Sequence, residues 1–307
     1  MNKSLLADLT LLLVVFIWGA TFVVVQDAIS FLTPFSFNAV RFFIAFLALA
    51  IFYLFFTNQR KKAFHKATIK AGALLGFWLC LAYALQTLGL LYTTPAKAGF
   101  ITGLSVVLVP IFSFFLLKQR PNRNVMIGIA CATIGLYMIT MLQASAFSKG
   151  DFLVLLGAIC FAMHIITTGK FAKKHHALPL TIIQIFTVSL LSFICSLFLE
   201  KPKEMYQTEV LFQKEVMMGL FITALLATAF AFLAQTYFQA YTSPTRVALI
   251  FAMEPVFAAI TSYIVIDEAF TTSMIIGCVL IFAGIIFAEL PVKRRAIPEH
   301  RAIEPSE

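Results

Sequence analysis

QTLGLLYTTPAKAGFITGLSVVLVPIFSFFLLKQRPNRNVMIGIACATIG, residues Gln86–Gly135, decides the fold because it occurs twice. Displaced by 149 residues, Gln235–Gly284 lies beneath it without a gap. Gln86 and Thr87 meet Gln235 and Thr236; Tyr92, Thr93 and Pro95 meet Tyr241, Thr242 and Pro244. Lys97 meets Arg246, and Gly128 and Gly135 meet Gly277 and Gly284. Chance rarely keeps polar, Pro and Gly positions in step over such a length. The chain therefore reads as two copies of one unit, 1–145 and 146–291, followed by a basic tail, 292–307. A function shared by two copies is expected to sit between them.

Composition says where the copies live. Of 307 residues, 61% are hydrophobic and 12% charged, and mean hydropathy is +0.95. An ordinary soluble domain carries about 25% charged residues. A chain this apolar needs lipid as its solvent, and its 34 Phe suit packing against lipid and neighbouring helices. The net charge of +9 would suggest nucleic acid only if the basic residues formed one face. They sit instead in short clusters between apolar runs, so no nucleic-acid partner is expected. Cys80, Cys131, Cys160, Cys195 and Cys278 all fall inside apolar runs with neither metal nor disulfide spacing. The apolar run from Leu5 to Val25 is longer than a signal-peptide core and reads as the first span.

A helix needs about 20 apolar residues to cross a bilayer. Ten runs approach this: Leu5–Val25, Ser36–Phe56, Ala71–Leu91, Lys97–Leu117, Val125–Leu142, Phe152–Lys170, Pro179–Leu199, Val216–Ala240, Val247–Ile266 and Thr272–Leu290. Lipid offers the backbone no hydrogen-bond partner, so these must be helices. The fold class expected is all-α, an integral membrane protein of ten transmembrane helices. Alternate connections hold Lys3; Arg60 to Lys70; Lys118, Arg120 and Arg123; Lys170, Lys173 and Lys174; Arg246; and the basic tail. The opposite side holds only Lys97, Lys149, Lys201, Lys203 and Lys214. By the positive-inside rule both termini are expected in the cytoplasm, with the protein in the cell membrane. Five spans per copy is an odd number, so the second copy enters the membrane inverted. Inverted repeats are a transporter architecture, with the solute site near the midplane between the repeats.

Polar residues inside the spans mark where such a site would be. Glu254 lies seven residues into the ninth run and His164 six residues from the end of the sixth. At 1.5 Å per residue each is roughly 10 Å deep, in the cytoplasmic half. Both are candidates to line a solute path and to carry protons. Other polar residues recur at helical spacing on single faces. These are Trp18 and Thr21; Tyr83 and Gln86; Thr102 and Ser105; His164, Thr167 and Thr168; and Gln235 and Gln239. The candidate substrate-binding set is therefore Trp18, Thr21, Tyr83, Gln86, Thr102, Ser105, His164, Thr168, Gln235, Gln239 and Glu254. Against this, Ser, Thr and Gln also bond helices together, and Trp18 could anchor at the interface. Arg41 is read as a structural residue snorkelling to the outer headgroups. Gly72, Gly76, Gly128, Gly135, Gly277 and Gly284 allow close helix contact, with the fifth and tenth spans packing on each other or on a second protomer.

Read in order, Ile17-Trp18-Gly19-x-x-Phe22, Arg41, Pro95, Pro110, Pro244, Glu254-Pro255-Val256-Phe257, Asp267-Glu268, Gly277 and Gly284 resemble the ten-span EamA family of the drug/metabolite transporter superfamily. Lys118-Gln119 stands where that family usually has Gly-Glu. The resemblance implies a cytoplasmic-membrane carrier, often an exporter of amino acids or other small metabolites. It also implies a cavity built from spans one, three, four, six, eight and nine. The expected function is secondary active efflux of a small metabolite by alternating access. A rival within the superfamily exchanges phosphorylated or nucleotide-linked solutes. A channel or a membrane-embedded enzyme is less favoured, because no selectivity-filter repeat and no clustered His/Asp/Glu set is visible. The expected partners are a small-molecule substrate, the lipid bilayer and a proton as coupling ion, with no cofactor, in a monomer or homodimer.

Overall fold

The computed structural model describes residues 3–56, 64–93, 95–118, 121–140, 147–201, 208–266 and 271–290. Among these every regular element is helical. The helices are α1 (Lys3–Phe31), α2 (Pro34–Phe56), α3 (Lys66–Leu90), α4 (Pro95–Gly103), α5 (Ser105–Leu117), α6 (Arg123–Thr140), α7 (Lys149–Phe171), α8 (Ala177–Leu199), α9 (Thr208–Leu211) and α10 (Lys214–Ala224). A π-helical turn, Leu225–Phe230, links α10 to α11 (Ala231–Phe238). A 3₁₀ turn, Gln239–Tyr241, then leads to α12 (Pro244–Phe251), α13 (Glu254–Ile266) and α14 (Thr272–Glu289). Seven helical stretches are long and apolar enough to cross a membrane, and Leu5–Thr21, Arg123–Ile139 and Thr272–Ala288 are shorter apolar ones. Phe55, Phe115, Phe198 and Ile264 are each at least 70% exposed. That suits a surface whose solvent is hydrocarbon rather than water. The basic tail, Asp267-Glu268 and Gln119 lie outside the described residues.

Three expected spans prove to be composite. The fourth is interrupted at Leu104, between α4 and α5, and the ninth at Ala252-Met253, between α12 and α13. The two breaks are 149 residues apart, and Ser105 and Glu254, equivalent in the duplication, each open the helix that follows. The eighth contains the π turn. Hydrophobicity reports only that a stretch is buried in lipid, so none of these interruptions is visible in it.

Close packing follows the small residues. The strongest helix pairs are α6 with α14, α3 with α7, and α8 with both α2 and α3. A Cβ on Gly135 would lie 2.5 Å from the carbonyl oxygen of Gly277, and one on Gly128 2.5 Å from that of Gly284. These contacts run α6 and α14 antiparallel with backbones touching. The glycine stripes expected to serve either this pair or a second protomer are therefore used within one chain. Gly72 and Gly76 in the same way bring α3 against Ile183 and Thr187 of α8.

Antiparallel α2 and α8 are joined by a polar clasp: the backbone N–H groups of Phe35 and Ser36 and the Ser36 hydroxyl all donate to the Glu200 carboxylate. Glu200 thereby satisfies otherwise orphaned donors at the start of α2. Lys118, at the end of α5, has φ 54°. This is the left-handed region that favours glycine, which accounts physically for the Gly of the family pattern at this point.

Candidate functional site

Helices α1, α3, α4, α5, α7, α11, α12 and α13 converge on a partly open cavity of about 90 Å³, joined by Arg41 of α2. Nine of the expected residues line it: Trp18, Thr21, Tyr83, Gln86, Thr102, Ser105, His164, Gln235 and Glu254. Apolar and aromatic walls come from Phe161, Phe232 and Phe251. Trp18 sits between Phe232 and Phe251 with ring centroids 5.5 and 5.0 Å away. It is a wall of the cavity, not an interfacial anchor.

Gly19 explains why Trp18 is followed by glycine. A Cβ there would lie 2.7 Å from the Glu254 carbonyl oxygen and 2.8 Å from Phe257 Cβ. The missing side chain lets α1 touch the backbone of α13, which places Trp18 and Glu254 on the same chamber. Two distant motifs of the sequence, Trp18-Gly19 and Glu254-Pro255, are one contact in space.

The π turn supplies a second anchoring point. The Trp18 indole Nε1–H donates to the Ala227 carbonyl oxygen at 2.8 Å. Arg41 Nε–H donates to Thr228 Oγ1 at 2.7 Å. A π turn displaces backbone carbonyls from their regular partners and recurs at functional sites. Here it offers one carbonyl and one hydroxyl to two cavity residues. The reading of Arg41 as a snorkelling residue is therefore corrected: it is 3% exposed. Its guanidinium carbon lies 5.5 Å from the Phe42 ring centroid and 5.3 Å from that of Tyr83. Both rings are within cation–π reach. Thr228 and the aromatic rings draw the side chain inward, where headgroups would have drawn it out. Intramembrane position alone does not tell these apart, so the sequence carried no signal for Arg41 beyond its depth.

Polar bonds tune the remaining walls. Gln86 Nε2 donates to Thr102 Oγ1 at 2.9 Å, joining α3 to α4. His164 Nε2 is 3.2 Å from Gln184 Oε1, and Gln184 Nε2 donates to Thr236 Oγ1 at 3.2 Å. Gln184, on α8 behind the cavity, was not singled out in the sequence. Gln184 thus links His164 of α7 to Thr236 of α11 behind the cavity. Thr168 and Gln239 do not line the cavity. Thr168 lies behind His164, 3.4 Å from Nε2. Gln239 Nε2 donates to the Ile165 carbonyl oxygen at 2.6 Å, tying the end of the eighth span to α7. Both share a helical face with true lining residues but sit a turn away, where another helix covers them.

Among the described residues the chamber's lining includes a guanidinium, a carboxyl group, an imidazole and several neutral hydrogen-bonding groups within aromatic walls. Among the described residues no group of three or more His, Cys, Asp or Glu could hold a metal ion. A multi-pass helical membrane protein with such a chamber presents a candidate solute site. The model of the EamA-like transporter family matches residues 5–141 and 148–290, and the chain belongs to that family. An uncharacterized transporter of Archaeoglobus fulgidus is 36% identical over 290 residues, covering 94% of this chain and 88% of that one. The uncharacterized transporter YyaM of Bacillus subtilis is 26% identical over 295 residues, covering 94% of each. One crystal structure superposes with a TM-score of 0.77 at 16% identity, covering 94% of this chain and 97% of that one, which speaks for the fold.

Proposed function

We propose that this transporter is a secondary active exporter of small metabolites such as amino acids, working by alternating access with both termini in the cytoplasm. The observation that carries the reading is the cavity. It sets Arg41 and Glu254 in one chamber with Trp18, Tyr83, Phe161, Phe232 and Phe251. A guanidinium suits a carboxylate, a carboxylate suits an ammonium, and aromatic faces suit an apolar or cationic side group. A zwitterion with an amphipathic side chain answers all three. At about 90 Å³ the chamber is smaller than ordinary ligand pockets of roughly 300–1,000 Å³. Admission of a solute therefore requires the helices to part.

Two inverted repeats, 1–145 and 146–291, supply the way to part on either face in turn. The α6–α14 contact supports this reading. Gly128 meets Gly284 and Gly277 meets Gly135, so each contact maps onto the other under the 149-residue shift. Equivalent helices in antiparallel contact are what a two-fold axis relating the repeats would produce, which supports the inverted arrangement. The matching breaks at Leu104 and Ala252-Met253 fit discontinuous helices beside a midplane site. Glu254, in the first turn of α13, is assigned the coupling proton, and His164 a fixed hydrogen-bonding role in the wall. Exchange of phosphorylated solutes is the weaker reading, because among the described residues the cavity lining holds one guanidinium and no lysine.

Reconstituted protein tests this directly. Vesicles loaded with one amino acid should show saturable counterflow of labelled amino acid, accelerated by a proton gradient and abolished in Arg41→Gln. Flux that fails to saturate, or lacks counterflow, would point to a channel.

A further inference from the structure

Threonines inside these helices commonly bond to their own helix. Thr21 and Thr167 donate to the carbonyl oxygen four residues back, at 2.8 and 2.6 Å. Thr223, just before the π turn, does the same to Gly219 at 2.6 Å. Such a back-bond keeps the hydroxyl against its own backbone. Thr228 is used differently. It lies inside the π turn, where the Ala231 N–H donates to the Leu226 carbonyl oxygen five residues back. Its Oγ1 accepts from Arg41 Nε at 2.7 Å, across to α2. Thr228 is 0% exposed and lies behind the cavity lining rather than in it. It reaches a solute only through Arg41.

A guanidinium is a rigid planar fork, and a carboxylate takes it through two parallel N–H···O bonds. Two of its edges can do this: the one between the two Nη groups and the one that includes Nε. With Nε–H given to Thr228, a carboxylate in the chamber is met by the Nη edge. The rings of Phe42 and Tyr83, 5.5 and 5.3 Å from the guanidinium carbon, restrict the side chain further. The neighbouring residue of the same turn, Ala227, holds the Trp18 indole through its carbonyl oxygen. Arg41 from α2 and Trp18 from α1 thus take their orientation from adjacent residues of one short element, and both line the cavity. The charged contact and the aromatic wall are set relative to each other by the π turn.

We propose that Thr228 is a positioning residue for solute selection: by holding Nε it aims the Nη edge of Arg41 at the solute's carboxylate. The inference rests on the carboxylate assignment made for Arg41 above and extends it to selectivity. A solute carrying a carboxylate is preferred over the same molecule without one, and the preference depends on a hydroxyl that the solute never touches.

The test uses the full chain in nanodiscs. The chain has two tryptophans, so Trp78→Phe leaves Trp18 as the single fluorescent reporter on the cavity wall. In that background leucine, methionine and phenylalanine are titrated, each beside the amine that lacks its carboxylate. The parent should bind the amino acids at least about tenfold more tightly than the amines, as expected for hydrogen bonds to a charged group. Thr228→Val keeps the side chain's shape and removes the acceptor. It should cut that preference about tenfold by weakening the amino acids while the amines bind as before. Thr228→Ser should restore the preference. Thr223→Val, which loses only its back-bond, should leave it unchanged. A general structural defect would weaken acid and amine together, and that result overturns the proposal. So does a Thr228→Val variant that keeps the full preference, which leaves the zwitterion reading standing. A parent that binds acid and amine alike, or binds none of the six, overturns the zwitterion reading and this inference with it.

Discussion

Gly135→Ala tests one of the tightest helix contacts among the described residues. The new methyl would start 2.5 Å from the Gly277 carbonyl oxygen and 2.8 Å from Ile281 Cγ1. Carbon–oxygen contacts settle at about 3.3 Å or more, so α6 and α14 must separate locally by roughly 0.8 Å. Neither obstacle is the free end of a flexible chain: one is backbone and the other belongs to fully buried Ile281. Overpacking of this kind costs about 1–3 kcal/mol, roughly 5- to 150-fold in the folding equilibrium. Purified variants would be unfolded reversibly in mixed micelles by titration with SDS, with helix content followed by circular dichroism. The proposed two-fold relation adds a sharper demand. Gly284 is the equivalent of Gly135, and Gly277 of Gly128, so partners in each equivalent pair should lose similar stability. Combining Gly128→Ala with Gly284→Ala, which widen the same gap, should cost less than the sum of the two. Four Ala variants as stable as wild type would refute the packing. Costs that do not match between equivalent positions would refute the two-fold relation.

Other outcomes follow from the same geometry. Glu254→Gln should weaken binding of a zwitterionic solute and also lose acceleration by a proton gradient, measured by counterflow and by gradient-driven uptake. Gln239→Ala should cost about 1 kcal/mol of stability while leaving apparent solute affinity unchanged, since Gln239 holds α7 and does not face the cavity. Lys118→Gly should stabilise by up to about 1 kcal/mol, because it removes a side chain from a left-handed backbone position; SDS titration checks this. At the end of α7, the Thr68 hydroxyl lies 3.0 Å from Nδ1 of both His65 and His175. Burial, with His65 and Lys174 beside it, holds His175 below the usual imidazole pKa. The unfolded chain then binds the proton more readily. This contact's contribution is complete above about pH 6.5 and declines as pH falls towards the folded value. His175→Gln should flatten that decline in a pH series of unfolding curves.

Membrane class and the positions of the main spans were legible in the sequence, because hydrocarbon forces apolar runs into helices whatever their neighbours. The duplication was legible too, since prolines and glycines at turns and contacts kept their spacing in both copies. Most of the cavity could be read from i, i+3 and i, i+4 polar faces. Whether a polar face meets the chamber or another helix depends on what packs opposite, and Thr168 and Gln239 share a face with lining residues without being among them. Arg41, Gln184 and Thr228 needed coordinates for the same reason. The interruptions at Leu104, Leu225–Phe230 and Ala252-Met253 leave no trace in local hydrophobicity. Only the tertiary structure showed that Gly19 brings Trp18 against Glu254, because a glycine's missing side chain acquires its meaning from the backbone that fills the space.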